Sequence, residues 1–191
     1  MILSIYLFRH GQTYFNRDHR FTGFKDSKLT PLGKEQAEKI ANMLKHKKFQ
    51  VAYKTRLSRS GDTLKPVLKY HPECKKVITD NRMIERSYGK FEGLYHKTII
   101  KKYGKALFDK WHRSYNFPPP EGESVKQVEK RVNSFIKDLI KKMKKERINA
   151  AISAHGNSMR PFRRYFEKLT MKQMMKLENP WDDYFEYTVN I

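Results

Sequence analysis

The chain has 191 residues, which suits one domain with one sizeable core, over residues 1–191. Lys and Arg number 41 against 20 Asp and Glu, a formal charge of +21, so the expected partner is anionic. Aromatic residues make up 13% and argue against a disordered chain, and the single cysteine, Cys74, excludes an intramolecular disulfide framework. That cysteine count, and the lack of any run approaching eighteen apolar residues, point to a cytoplasmic protein with no membrane partner.

Taken in chain order, Ile2 to Phe8 reads as a buried strand that ends in Arg9-His10-Gly11. Thr30 and Pro31 begin a helix whose apolar residues Leu32, Ala37, Ile40, Ala41 and Leu44 fall at helical spacing. Phe49 to Tyr53 is a second strand, Ser58 to Leu68 a second helix with a bend expected at Pro66, and Val77-Ile78 marks a third strand. A polar and aromatic stretch from Arg82 to Pro120 holds helical pieces around Ile99 to Tyr103 and Lys105 to Tyr115. Ser124 caps the clearest helix, with Val125, Val128, Val132, Phe135, Ile136, Leu139, Ile140 and Met143 on one face. Asn149 to Ser153 is the next strand, followed by a helix through Phe166, and Asp183 to Val189 is an edge strand. The alternation predicts an α/β three-layer sandwich, with helices flanking a mostly parallel central sheet and ligands beyond the carboxyl ends of its strands.

Two strand ends share one design, a histidine followed by glycine: His10-Gly11 and His155-Gly156. One such pair alone is an ordinary turn; two, with an arginine beside the first, suggest chemistry. A histidine attacks phosphorus only as neutral imidazole, with one ring nitrogen free and the other held as a donor. The transferring phosphoryl group then needs fixed positive charge around its oxygens, for which Arg9 and Arg59 are suited. No histidine or carboxylate pair has the short spacing of a zinc site, so no metal is expected.

The stretch Leu7-Phe8-Arg9-His10-Gly11-Gln12-Thr13, with Arg59, Glu85 and His155 at matching intervals, resembles the histidine phosphatase superfamily. More specifically, the chain is similar to the 2,3-bisphosphoglycerate-dependent phosphoglycerate mutases. The stretches that match include Arg20 to Phe24, Leu29 to Gly33, Glu85 to Gly89, Trp111 to Tyr115, the prolines 118 to 120 with Gly122-Glu123-Ser124, and Ala154 to Arg160. The resemblance implies a phosphoglycerate mutase-like fold and a phosphohistidine at His10. Arg9, Arg59, Asn16 and the Gly156 backbone would hold the phosphoryl oxygens, His155 would stabilise the charge in transit, and Glu85 would be the general acid and base. Thr22, Gly23, Arg86, Tyr88 and Arg113 would grip the substrate, with Asn157, His96 and His112 at neighbouring binding positions. The family needs no metal, and 2,3-bisphosphoglycerate would serve as the primer of a mutase.

The chain departs from the mutase pattern at Tyr95-His96, where mutases carry Asn-Lys, at His112, where they carry a first arginine, and at Gln12. Histidine in place of a permanent cation weakens the hold on a doubly charged intermediate near neutral pH. The expected activity is therefore interconversion of 3- and 2-phosphoglycerate, with hydrolysis of a small phosphomonoester as the alternative. A third reading, a nucleic-acid-binding protein on the same scaffold, would use the lysines between Lys137 and Arg147, but these fall on the polar face of an amphipathic helix and read as solvated surface.

Overall fold

A computed structural model describes residues 1–191. The strands are β1 (Ile2–Arg9), β2 (Val51–Lys54), β3 (Lys76–Thr79), β4 (Ala150–Ala154) and β5 (Tyr184–Asn190). The helices are α1 (Tyr14–Arg17), α2 (Pro31–Leu44), α3 (Ser58–Leu68), α4 (His96–Tyr103), α5 (Lys105–Arg113), α6 (Val125–Glu146), α7 (Gly156–Glu167) and α8 (Met171–Met175). The sheet has the order β3-β2-β4-β1-β5, with β5 alone antiparallel, at the edge beside β1.

The unbroken apolar run of β1 follows from burial on both faces. Ile5 and Leu7 enter a core with Phe135, Leu139 and Phe162 of α6 and α7, while Tyr6 and Phe8 enter another with Ile40 and Leu44 of α2 and Leu64 of α3. Helix α2 starts where Thr30 Oγ1 accepts from the Gly33 N–H at 3.0 Å, with Pro31 in the first turn. Ser124 and Gln127 close a reciprocal capping box at the start of α6. Pro66 does not break α3, which runs on through Leu68 with that proline buried. The stretch after β3 builds a small aromatic core of its own from Tyr88, Phe91, Ile99, Phe108 and Trp111, with Phe21. No helix is long and apolar enough to cross a membrane.

Candidate active site

Because β1, β2 and β4 are parallel and adjacent, the residues after their carboxyl ends converge. His10 follows β1, Thr55 follows β2 and His155 follows β4. The His10 and His155 rings lie 5.0 Å apart between centroids, and both are buried. Ring nitrogens of both histidines and a carboxylate oxygen of Glu85 all lie within 4.8 Å of one another.

His10 Nδ1 lies 2.8 Å from the Gly11 carbonyl oxygen. A carbonyl can only accept, so Nδ1 carries the proton and Nε2 keeps its lone pair. Burial, with Arg59 and Arg9 nearby, holds this imidazole well below the usual histidine value. It is therefore neutral, as a nucleophile must be. His155 is held down in the same way, by burial first and then by Arg59 and His10, and its Nε2 pairs with Thr55 Oγ1 at 2.8 Å. The His10, Glu85 and His155 trio is close enough to ligate a metal ion, but two buried guanidinium groups beside it set up a field that opposes a cation and favours an anion.

Those guanidinium groups are only partly satisfied. Arg59 is fully buried; its Nη atoms donate to the Lys25 and Gly23 carbonyls at 3.0 and 2.8 Å, and its Nε has no partner. Arg9 donates from Nη1 to the Asn179 carbonyl at 3.0 Å and lies 4.6 Å from the Trp181 ring centroid, and its Nε is also unpartnered. Burial pulls Arg9 down to about 10, which leaves it charged near neutral pH. Two buried N–H donors without acceptors, beside a neutral imidazole with a free Nε2, make an incomplete cradle that an anionic oxygen would complete.

Above them lies a cavity of about 330 Å³, and Glu85 and Arg9 are part of its lining. Glu85 Oε1 accepts from the backbone N–H groups of Arg86 and Asn157 at 2.7 and 3.1 Å, which fixes one oxygen and leaves the other to the cavity. Of the residues singled out in the sequence, Asn16, Thr22, Tyr88, His96, His112, Arg113, Gly156 and Asn157 line it, while His10, Arg59 and His155 are not part of the lining. Asn16 Oδ1 is taken by Thr13, so its amide Nδ2 is the group that remains for a ligand. Gly23 lies outside the lining; it has φ +54 and presents its carbonyl to Arg59.

Arg86 departs from expectation. It is fully buried, and its guanidinium donates to the carbonyls of Glu123 at 2.6 Å and Trp111 at 2.8 Å, with longer contacts to His112 and Phe117. It braces the end of α5 against the proline-rich connection and does not reach the cavity.

Two of the chain's departures from the mutase pattern, His96 and His112, lie 5.3 Å apart between centroids. Burial, together with His19 and Arg113, brings His96 down to about 4; burial, together with Arg113 and His96, brings His112 to about 3. Both are neutral near pH 7, so the permanent charge beside them comes from arginines, Arg113 first and Arg86 and Arg160 after it.

Sequence reasoning assigned no role to Arg160, Arg20, His19 or the segment from Leu177 to Trp181, all of which contribute to the lining. Arg160 donates to the Leu177 carbonyl at 3.2 Å and to Asn157 Oδ1 at 3.3 Å. A signal for it was present, since Gly156 and Arg160 stand four apart and share one face of α7. The 177–181 segment carries no periodic pattern and is held by three arginines from two elements, Arg9 of β1 and Arg160 and Arg163 of α7.

The sequence model of the histidine phosphatase superfamily (branch 1) matches residues 5–187. A 2,3-bisphosphoglycerate-dependent phosphoglycerate mutase of Parvibaculum lavamentivorans is 37% identical over 176 residues, covering 90% of this chain and 83% of that protein. One of Cytophaga hutchinsonii is 33% identical, covering 89% and 80%. Among solved structures, a mycobacterial glucosyl-3-phosphoglycerate phosphatase superposes with a TM-score of 0.84 at 22% identity over 98% of this chain and 91% of that one. A phosphoglycerate mutase from Bacillus anthracis gives 0.79 at 22% identity over 98% and 88%. With its two strand-end histidines, its buried arginines and a family match over nearly its whole length, this chain belongs to branch 1 of the histidine phosphatase superfamily.

Proposed function

We propose that this protein transfers phosphoryl groups through a phosphohistidine at His10 and interconverts 3- and 2-phosphoglycerate. The observation that carries the chemistry is the fixed tautomer of His10, with Nδ1 on the Gly11 carbonyl and Nε2 free beside two unmatched guanidinium donors. The Nε2 lone pair attacks phosphorus, the bond from phosphorus to the leaving oxygen breaks, and Glu85 gives its proton to that oxygen. In return, Glu85 takes the proton from a second hydroxyl as this attacks the phosphohistidine and the N–P bond breaks. Arg9, the free Nε of Arg59, Asn16 and the Gly156 N–H hold the phosphoryl oxygens, and His155 donates to the same charge as it moves. Arg113, Thr22 and Tyr88 hold the far end of the substrate.

The unmatched buried donors fit a phosphorylated primer, held by those residues at one end and by Arg113 and Arg160 at the other. When bound, 2,3-bisphosphoglycerate supplies the phosphoryl group that primes His10. The relatives named as mutases support the substrate assignment.

Hydrolysis is the second reading, and the neutral state of His96 and His112 favours it, because a wall short of permanent charge holds a doubly phosphorylated intermediate less firmly while water competes. One assay separates the two: 3-phosphoglycerate is followed with and without 2,3-bisphosphoglycerate, and both 2-phosphoglycerate and free phosphate are measured. The mutase reading expects isomerisation stimulated by the bisphosphate. Release of phosphate with no stimulated isomerisation overturns it in favour of hydrolysis.

A further inference from the structure

The catalytic cavity uses few of the cations behind the +21 charge. At the opposite end of the sheet, where β2, β3 and β4 begin, a second group gathers. Lys76 opens β3 and pairs with Val51, which opens β2 and pairs with Ala150, which opens β4. The Lys48 carbonyl accepts from Asn149 Nδ2 at 2.8 Å, which ties the turn after α2 to the turn after α6. Lys45 stands at the end of α2, Lys75 precedes β3, and Lys141, Lys144, Lys145 and Arg147 surround the end of α6.

None of these eight cations is in an ion pair. The carboxylates at this end are already engaged by other groups: Glu73 by His71, Glu146 by Lys142 and Glu186 by Lys47. Some of them lie close enough to act on those same carboxylates from beyond ion-pair distance. Lys76 and Lys145 both bear on Glu146, and Lys48 bears on Glu73. Three segments distant in sequence, 45–48, 75–76 and 141–147, thus bring cations without ion pairs to one end of the sheet, which the polar stripe of α6 alone does not foretell.

We propose that this end face binds the phosphodiester backbone of a nucleic acid, apart from the catalytic cavity. A row of lysines without carboxylate partners suits a continuous polyanion, whose condensed counterions are released on binding. Tyr70, 43% exposed after α3, adds a ring on which a base can stack. An anionic membrane fits less well, because only Tyr70 and Val77 are large exposed apolar side chains among these cations, and the exposed Met1 and Ile2 stand at the start of β1, two strands from β2.

The test is fluorescence anisotropy of the full chain with labelled single-stranded RNA, single-stranded DNA and duplex DNA, at about 50 and about 200 mM salt. The expected result is binding that weakens with salt, by a logarithmic slope of about −0.7 for each phosphate neutralised on a single strand. The variant K48E/K76E/K144E/K145E should bind about tenfold or more weakly and with a shallower slope, while keeping its phosphoryl-transfer activity, which also shows that it folds. The matched variant K101E/K126E/K130E/K172E carries the same net change elsewhere and should retain binding. Saturating 2,3-bisphosphoglycerate should not displace the strand. The proposal is overturned if no nucleic acid binds, if the two variants lose affinity equally, if the bisphosphate competes, or if only phosphatidylserine vesicles are bound. The activity of His10 is read in separate assays, so either reading can fail without the other.

Discussion

Arg9 serves two purposes with one guanidinium. Its Nη1 and its face are spent on Asn179 and Trp181, and its Nε is left unpartnered, the donor the proposed mechanism gives to a phosphoryl oxygen. Lysine cannot divide its donors in this way. We expect Arg9→Lys to lower kcat about 10²- to 10³-fold, the usual cost of one transition-state donor, and to raise hydrogen exchange across residues 177–181. His10→Ala should abolish the acid-labile phosphoenzyme formed with labelled 2,3-bisphosphoglycerate; phosphoenzyme that persisted would place the nucleophile elsewhere. The buried imidazoles also set a pH limit. His112 titrates near 6.5 in the unfolded chain and near 3 when folded, so below about 6.5 the unfolded chain takes up a proton that the folded one refuses. Stability is full above that value and is lost as pH falls toward about 3. The urea midpoint should therefore be lower at about pH 5 than at about pH 7, and His112→Gln should shrink the difference. At this scale His10 and His155 were legible as histidine-glycine pairs at two strand ends, which the parallel sheet brings together, whereas Glu85 came only from the resemblance. Arg86 was not, because the carbonyls that engage it belong to residues 25 to 37 positions away.

Among the elements, α2 bears most directly on the nucleophile without touching it. Its Gly33 packs so closely against the loop after His10 that a methyl group there would overlap the Gln12 carbonyl, and one on Gly11 would overlap the Gly33 carbonyl. Gly33→Ala should cost about 1–3 kcal/mol in a denaturant titration and should lower kcat more than it changes KM, because the loop carries His10. The long α6 was readable from eight apolar residues on one face. The short α1 and α8, of four and five residues, hold too few positions to show a period. Their caps, Thr13 with Asn16 and Thr170 with Gln173, were the available signal. Gly104, at φ 84, separates α4 from α5 where the pattern alone also gave two pieces.

Across the whole molecule, charge divides between the two ends of the sheet. The cavity at the carboxyl end is lined by four arginines against two glutamates, and the amino end gathers lysines. Composition predicted the excess and not its division, which depends on the strand order. The proposed primer role predicts that 2,3-bisphosphoglycerate stabilises the folded chain, by about 2.7 kcal/mol at a hundredfold excess over Kd. A thermal shift should report this, should persist in His10→Ala and should shrink in Arg113→Ala. An unchanged shift in Arg113→Ala would remove that residue from the binding role.

The segment from Leu177 to Trp181 lies between α8 and β5, and of its residues only Asn179 is buried to the extent of the core. It forms one wall of the cavity but supplies none of the hydrophobic side chains that hold the sheet to its helices. This wall of the cavity is therefore separable from the two cores, and its tie to Arg9 runs in part through a backbone carbonyl, that of Asn179. Exchange of side chains in this stretch would reshape the cavity wall while the cores stay as they are, because the carbonyl that Arg9 holds belongs to the backbone and survives such an exchange.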